Sequence, residues 1–230
     1  KLAAAPSTGY IYTSTDSGAT WTEQTSAGSR PWQGIASSSD GTKLVAVVYN
    51  GYIYTSTDSG VTWTQQTSSG SRNWDSVASS SDGTKLVAVV YNGYIYTSTD
   101  SGVTWTQRTS AGSRVWSSVA SSSDGTKLVA VVTAYGYIYT STDSGVTWTQ
   151  QTAAGSRNWY SIASSSDGTK LVAVVKATGV PGYIYTSTDS GTTWIEQASA
   201  GSRDWNSVAS SSDGTKLVAG TYPGYIYTYR

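Results

Sequence analysis

The chain has 230 residues, with 14 basic and 14 acidic side chains and a net charge of zero, so nothing electrostatic draws it to nucleic acid or an anionic membrane. It contains no Cys and no His, which removes the commonest metal ligands and the commonest general base, and no metal or cofactor is expected. Its longest apolar runs, such as Leu44–Tyr49, are strand-length and too short to span a bilayer.

Met and Phe are missing as well. Recent duplication of one unit, which copies its omissions, accounts for four absent residue types; a consensus or designed sequence does so equally. Lys1–Ala5 is too short for a signal peptide and reads as a weak strand. The stretch Gly-Tyr-Ile-Tyr-Thr then begins at Gly9 and returns at Gly51, Gly93, Gly136, Gly182 and Gly224, in steps of 42, 42, 43, 46 and 42 residues. A period near 42 indicates one repeat array, because a single unit of this size cannot bury its own apolar face.

The unit from Ser71 to Thr109 shows the plan. Trp74–Ser80 alternates and predicts a first strand, A. Ser81-Asp82-Gly83-Thr84 carries a two-residue Asp-Gly hairpin signal. Lys85–Val90 is apolar throughout and predicts strand B, buried on both faces. After a turn at Tyr91-Asn92-Gly93, Tyr94–Ser98 predicts strand C, with Tyr94 and Tyr96 opposite Ile95 and Thr97. Thr99–Gly102 turns again, and Thr104–Arg108 predicts the outer strand D. No stretch has helical periodicity. Four short strands per repeat predict an all-β fold, a β-propeller of four-stranded antiparallel blades over residues 1–230 as a single domain, with A lining the channel. Five A strands, at Trp32, Trp74, Trp116, Trp159 and Trp205, favour five blades. The closing blade would then draw A and B from the C-terminus and D from the N-terminus. Six blades, two of them three-stranded, is the alternative. A third option pairs the surplus C strand with a neighbouring chain.

Ser-Thr-Asp-Ser-Gly-Val-Thr-Trp resembles the Asp-box (BNR repeat) of sialidase-like propellers. It occurs at Ser14–Trp21, Ser56–Trp63, Ser98–Trp105, Ser141–Trp148 and Ser187–Trp194, and the resemblance covers nearly the whole chain. In that family the box is a structural C–D turn remote from the active site. The physics agrees: Asp16, Asp58, Asp100, Asp143 and Asp189 suit backbone N–H acceptance within their own turns, and Trp21, Trp63, Trp105, Trp148 and Trp194 suit insertion between sheets. A weak cation site on these turns is the minor alternative. A second series, Asp40, Asp82, Asp124, Asp167 and Asp213, sits in the A–B turns at the same end.

The opposite end varies from repeat to repeat. Its B–C connections are Tyr49-Asn50, Tyr91-Asn92, Thr133–Tyr135, Lys176–Pro181 and Thr221–Pro223. The residues flanking the A-strand Trp also vary: Pro31/Gln33, Asn73/Asp75, Val115/Ser117, Asn158/Tyr160 and Asp204/Asn206. Relaxed drift and selection for ligand contacts both explain this. One pair stays constant there, Ser-Arg-x-Trp. Arg30, Trp32, Arg72, Trp74, Arg114, Trp116, Arg157, Trp159, Arg203 and Trp205, with Tyr49, Tyr91 and Tyr135, form a candidate ligand-binding ring for anionic or sugar groups. The competing reading makes each Trp core and stacks each Arg on a neighbouring ring or bonds it to loop carbonyls, with Asp75 and Asp204 able to neutralise arginines.

The sialidase resemblance implies an arginine cluster, a Tyr activated by a Glu, and an Asp acid–base. Only Glu23 and Glu196 are present, both on strand D, and no Glu is placed to activate a Tyr. No paired carboxylates or Ser-His pair are suggested, so no catalysis is expected. Two roles remain. One is a lectin-like module with repeated weak carbohydrate sites, which carries an extracellular location with it. The other is a structural or protein-interaction scaffold, natural or engineered. The expected partners are thus a glycan or a protein, with no nucleic acid and no membrane insertion, and the chain is a monomer or self-assembles through its surplus terminal strand.

Overall fold

A computed structural model describes residues 1–177 and 182–229, so part of the Lys176–Pro181 connection lies outside the described residues. Its strands form six antiparallel sheets in sequence order. The first has three strands: β1 (Leu2–Ala4), β2 (Ile11–Ser14) and β3 (Thr22–Gln24). The second is β4 (Trp32–Ser37), β5 (Leu44–Val48), β6 (Ile53–Ser56) and β7 (Thr64–Gln66). The third is β8 (Trp74–Ser79), β9 (Leu86–Val90), β10 (Ile95–Ser98) and β11 (Thr106–Arg108). The fourth is β12 (Trp116–Ser121), β13 (Leu128–Val132), β14 (Ile138–Ser141) and β15 (Thr149–Gln151). The fifth is β16 (Trp159–Ser164), β17 (Leu171–Val175), β18 (Ile184–Ser187) and β19 (Ile195–Glu196). The sixth has three: β20 (Trp205–Ser210), β21 (Leu217–Thr221) and β22 (Ile226–Tyr229).

The propeller expectation holds, but six sheets stand where five blades were favoured. The N-terminal residues do not lend a D strand to the last blade. Instead Leu2–Ala4 pairs with Tyr12–Ser14, and Ile11–Thr13 with Thr22–Gln24, giving a sheet of B, C and D strands without an A. The last sheet has A, B and C without a D. The weak Lys1–Ala5 segment pairs because Ile11, completely buried between the first and second sheets, fixes this end of the array.

Apolar sheet faces explain the stacking. Leu86–Val90 is buried along its whole length. Val87, Val89 and Ile95 of the third sheet pack on Leu128, Ala130, Tyr139 and Trp148 of the fourth. Full burial of each Val or Ile contributes about 1.5–3 kcal/mol. Inner strands meet pairwise, β4 with β8, β8 with β12, β12 with β16 and β16 with β20. Hydroxyls tie them together, as where Ser76 accepts from the Val119 N–H and Ser161 from the Val208 N–H. The two outer faces of the array remain open: Val218 and Ile226 of the last sheet are exposed, and so are Leu2 and Trp21 of the first.

Two local expectations change. The A–B turn is a four-residue loop rather than a two-residue hairpin, since Ser80 donates its N–H to the Lys85 carbonyl across residues 81–84. Short 3-10 turns at Thr25–Ala27, Thr67–Ser69 and Ala198–Ala200 follow strand D; three residues are too few to show a helical period in sequence.

Candidate binding site

The two ends of the blades have different chemistry. At one end, the C–D turns that resemble Asp-boxes lie beside the A–B turns: Ser59 donates its N–H to Thr42, Ser101 to Thr84 and Ser144 to Thr126. Asp58 accepts the Thr62 N–H at 2.9 Å, the Thr62 hydroxyl at 2.6 Å and the Ser56 hydroxyl at 2.8 Å. Gly60, at φ +91°, takes the conformation that a side chain resists. The same bonds recur at Asp16, Asp100, Asp143 and Asp189. They hold the carboxyls below the usual range; Asp58, Asp143 and Asp189 sit at about 2. The Asp-Gly series does likewise, with Asp82 accepting from Ser80 and Thr84. These carboxylates already bond within their own turns, and no group of three acidic side chains is gathered for a metal among the described residues.

At the opposite end the constant Trp residues are buried in the blades and the constant Arg residues stack above them at the surface. Trp32, Trp74, Trp116, Trp159 and Trp205 are 0–1% exposed, which closes their faces to a ligand. Each lies edge-on to the C-strand Tyr of its own blade, as Trp74 does to Tyr96 at 5.1 Å. Above that Tyr sits the Arg: Arg30, Arg72, Arg114, Arg157 and Arg203 stand 4.6–4.8 Å over Tyr54, Tyr96, Tyr139, Tyr185 and Tyr227. Each also donates Nε to a loop carbonyl three residues back, as Arg114 does to Ala111 at 2.7 Å. The stack of Arg, Tyr and Trp is thus built within each blade. Asp75 neutralises no arginine among the described residues.

The side chains that do converge are the variable ones. Every A strand carries a β-bulge immediately after its Trp, seen as a register shift between Trp74 and Ser76, Trp116 and Ser118, Trp159 and Ser161, and likewise in β4 and β20. A bulge re-aims one side chain. Here it turns Gln33, Asp75, Ser117, Tyr160 and Asn206 toward the axis, where all five line one depression of about 370 Å³. Tyr91 and Thr133 of the B–C connections complete its wall. Tyr49 and Tyr135 are exposed on the same end but outside that wall. Sequence alternation alone misses this. The available signal is the spacing of Trp74 and Val77, both buried although three residues apart; a regular strand sends such residues to opposite faces.

The depression is chemically uneven. Asp75 is its acid, and burial pushes its carboxyl up to about 6. Across from it Tyr160 carries the ammonium of Lys176 4.4 Å from its ring centroid. Amides, hydroxyls and two phenol rings, Tyr91 and Tyr160, surround the acid. That set can hydrogen-bond a polyol from several sides and present an aromatic face to it.

The two glutamates do contact tyrosines. Tyr12 donates to Glu23 at 2.7 Å and Tyr185 donates to Glu196. Both pairs lie at the outer C–D edge, where Tyr54, Tyr96 and Tyr139 donate to Gln65, Gln107 and Gln150. The Glu23 carboxylate raises Tyr12, and burial followed by Glu196 raises Tyr185. A raised phenol keeps its proton, the opposite of an activated nucleophile.

No family model matches this sequence, and no curated protein does. Solved structures do resemble the fold. An ancestral GH74 enzyme superposes with a TM-score of 0.77 at 15% identity, over 98% of this chain and 34% of that one. YCF48 from Cyanidioschyzon merolae gives 0.69 at 16% identity, over 96% and 74%, and YCF48 bound to a D1 peptide gives 0.59 at 14%, over 96% and 86%. This chain therefore spans about a third of the GH74 enzyme's length. At these identities the likeness is one of β-propeller fold.

Proposed function

We propose that this chain is a non-catalytic binding propeller, lectin-like, whose ligand is a neutral or amine-bearing sugar held in the axial depression. One observation carries the reading: five bulges in a nearly invariant frame deliver five different side chains to one depression. A repeated weak site on each blade would need a free indole face, and all five indoles are buried while each Arg already stacks on a Tyr. A single asymmetric site replaces that arrangement. The sugar ring stacks on Tyr160 or Tyr91, the amides of Gln33 and Asn206 and the hydroxyls of Ser117 and Thr133 bond its hydroxyls, and Asp75 favours a cationic substituent. In this role the chain acts outside the cell. Non-catalytic action fits a depression with one carboxyl, because glycoside hydrolysis needs two.

Titration with neutral, amino and sialylated oligosaccharides tests the proposal. Saturable binding lost on Tyr160→Ala, and weakened for amino sugars on Asp75→Asn, supports it. Silence across the panel removes it. The second reading is a protein-interaction scaffold, favoured by the YCF48 neighbour in complex with a peptide. A Lys- or Arg-bearing peptide would then occupy the same depression, and Asp75→Asn would abolish binding while the sugar panel stayed silent.

A further inference from the structure

The last joint of the array differs from the others. Beside the box turn, the joints between the first and second, second and third, and fourth and fifth sheets leave about 10 Å³ each. Between the fifth and sixth sheets the space is about 600 Å³, walled mainly by Leu171, Ile184, Trp205, Leu217 and Tyr227. The earlier joints show what fills it. Trp105 of the third sheet lies 6.2 Å from Trp74, donates Nε1 to Gly102 and packs with Val45, Val47 and Ile53 of the preceding sheet. Trp63 sits likewise 6.4 Å from Trp32, and Trp194 6.3 Å from Trp159. The sixth sheet has the inner Trp205 but no box Trp. The first sheet has the box Trp21 but no inner Trp, and Trp21 stands 44% exposed. These two indoles are the halves of one unmade pair.

The strand edges match as well. In the second sheet Ile53, Tyr54 and Thr55 pair with Gln66, Gln65 and Thr64. The same register sets Ile226, Tyr227 and Thr228 of β22 against Gln24, Glu23 and Thr22 of a β3 strand. Tyr227, alone among the C-strand tyrosines that stack under an Arg, donates its hydroxyl to no D-strand residue among the described residues, whereas Tyr12 and Tyr185 donate to glutamates. The chain's own β3 is committed to β2 at the far end of the array.

We propose that the segment Ser14–Gln24 of a second copy of this chain fills the cleft, its β3 adding to the β22 edge and its Trp21 seating on Trp205. Tyr227 then donates to Glu23 of the second copy. The donated strand exchanges its pairing with β2, with the Tyr12–Glu23 and Gln24–Thr13 bonds across it, for the matching pairing with β22, and its exposed Trp21 gains a partner. Each copy both donates and accepts, and reciprocal exchange closes a two-fold dimer. Strand addition of this kind also covers an edge that otherwise recruits chains at random.

Sedimentation of the 230-residue chain from micromolar to near-millimolar concentration tests this. The expected result is a monomer–dimer equilibrium that Trp21→Ala weakens at least tenfold. A synthetic peptide of Ser56–Gln66, the same box and strand from an inner repeat, dissolves the dimer in excess, and it does so whether or not the variant folds. A chain that stays monomeric throughout, or a dimer that the peptide leaves intact, overturns the proposal.

Discussion

The two ends of the blades teach opposite lessons from one repeat. At the box end, Asp58, Ser56 and Thr62 close their bonds on one another, and the same atoms meet in the same way at Asp100 and Asp143. Each of these carboxylates already accepts three bonds from within its own turn. At the other end the frame is equally regular up to the buried Trp, and then a bulge presents a different residue in each blade. Identity at one end makes the structure; difference at the other gives the depression its chemistry. Repetition of a motif is therefore evidence of a shared packing problem.

Substitutions sharpen that contrast, beginning with the frame. Trp105→Ala, at a joint where the indole is 9% exposed, should destabilise by about 3–5 kcal/mol, read as a shift in the denaturant midpoint. Trp21→Ala should cost far less in the monomer, because the same residue type there lacks its partner. Equal losses at the two positions would contradict the pairing of box and inner indoles. Asp100→Ala should cost about 1–3 kcal/mol by stranding the Thr104 N–H and the Ser98 hydroxyl, while ligand binding at the other end stays unchanged.

The acids of the two ends also move stability with pH in opposite senses. The turn aspartates are lowered in the folded state, so their contribution is full above about pH 4 and is lost as pH falls toward 2. Asp75 is raised to about 6, so the folded state keeps a proton that the unfolded chain has released. Its effect is a loss of stability as pH rises from about 4 to 6, with no further change above. Asp75→Asn should remove that decline and stabilise the chain at pH 7 by up to about 2 kcal/mol once partial solvent screening is allowed for. Denaturant titrations at pH 3, 5 and 7 check both limbs; a variant with an unaltered pH profile would show that Asp75 is not held in a desolvated place.

Much of the frame was legible in the sequence. The period, the order of strands A to D, the box turn and its hydrogen bonds follow from Gly, Asp and Trp at fixed spacing, because those residues answer to local geometry. The sheet count was not legible. Whether Thr22–Gln24 joins β2 or β22 depends on competition between two nearly identical strands, Ile11–Ser14 and Ile226–Tyr229, and a local pattern does not rank them. The site was half legible. Gln33, Asp75, Ser117, Tyr160 and Asn206 stood out as variable, but the ring of Arg and Trp drew the functional reading because burial of an indole cannot be read from its neighbours alone. The bulge that separates the two sets was encoded in the Trp74–Val77 spacing.

The most direct test of the division between the ends is a binding titration with the best oligosaccharide of the panel, run on Tyr160→Ala and Asp58→Ala in parallel with the unaltered chain. The account predicts that Tyr160→Ala loses affinity at least tenfold with its melting temperature preserved, and that Asp58→Ala melts earlier and binds as before. Loss of binding in Asp58→Ala at a temperature where it remains folded would contradict it.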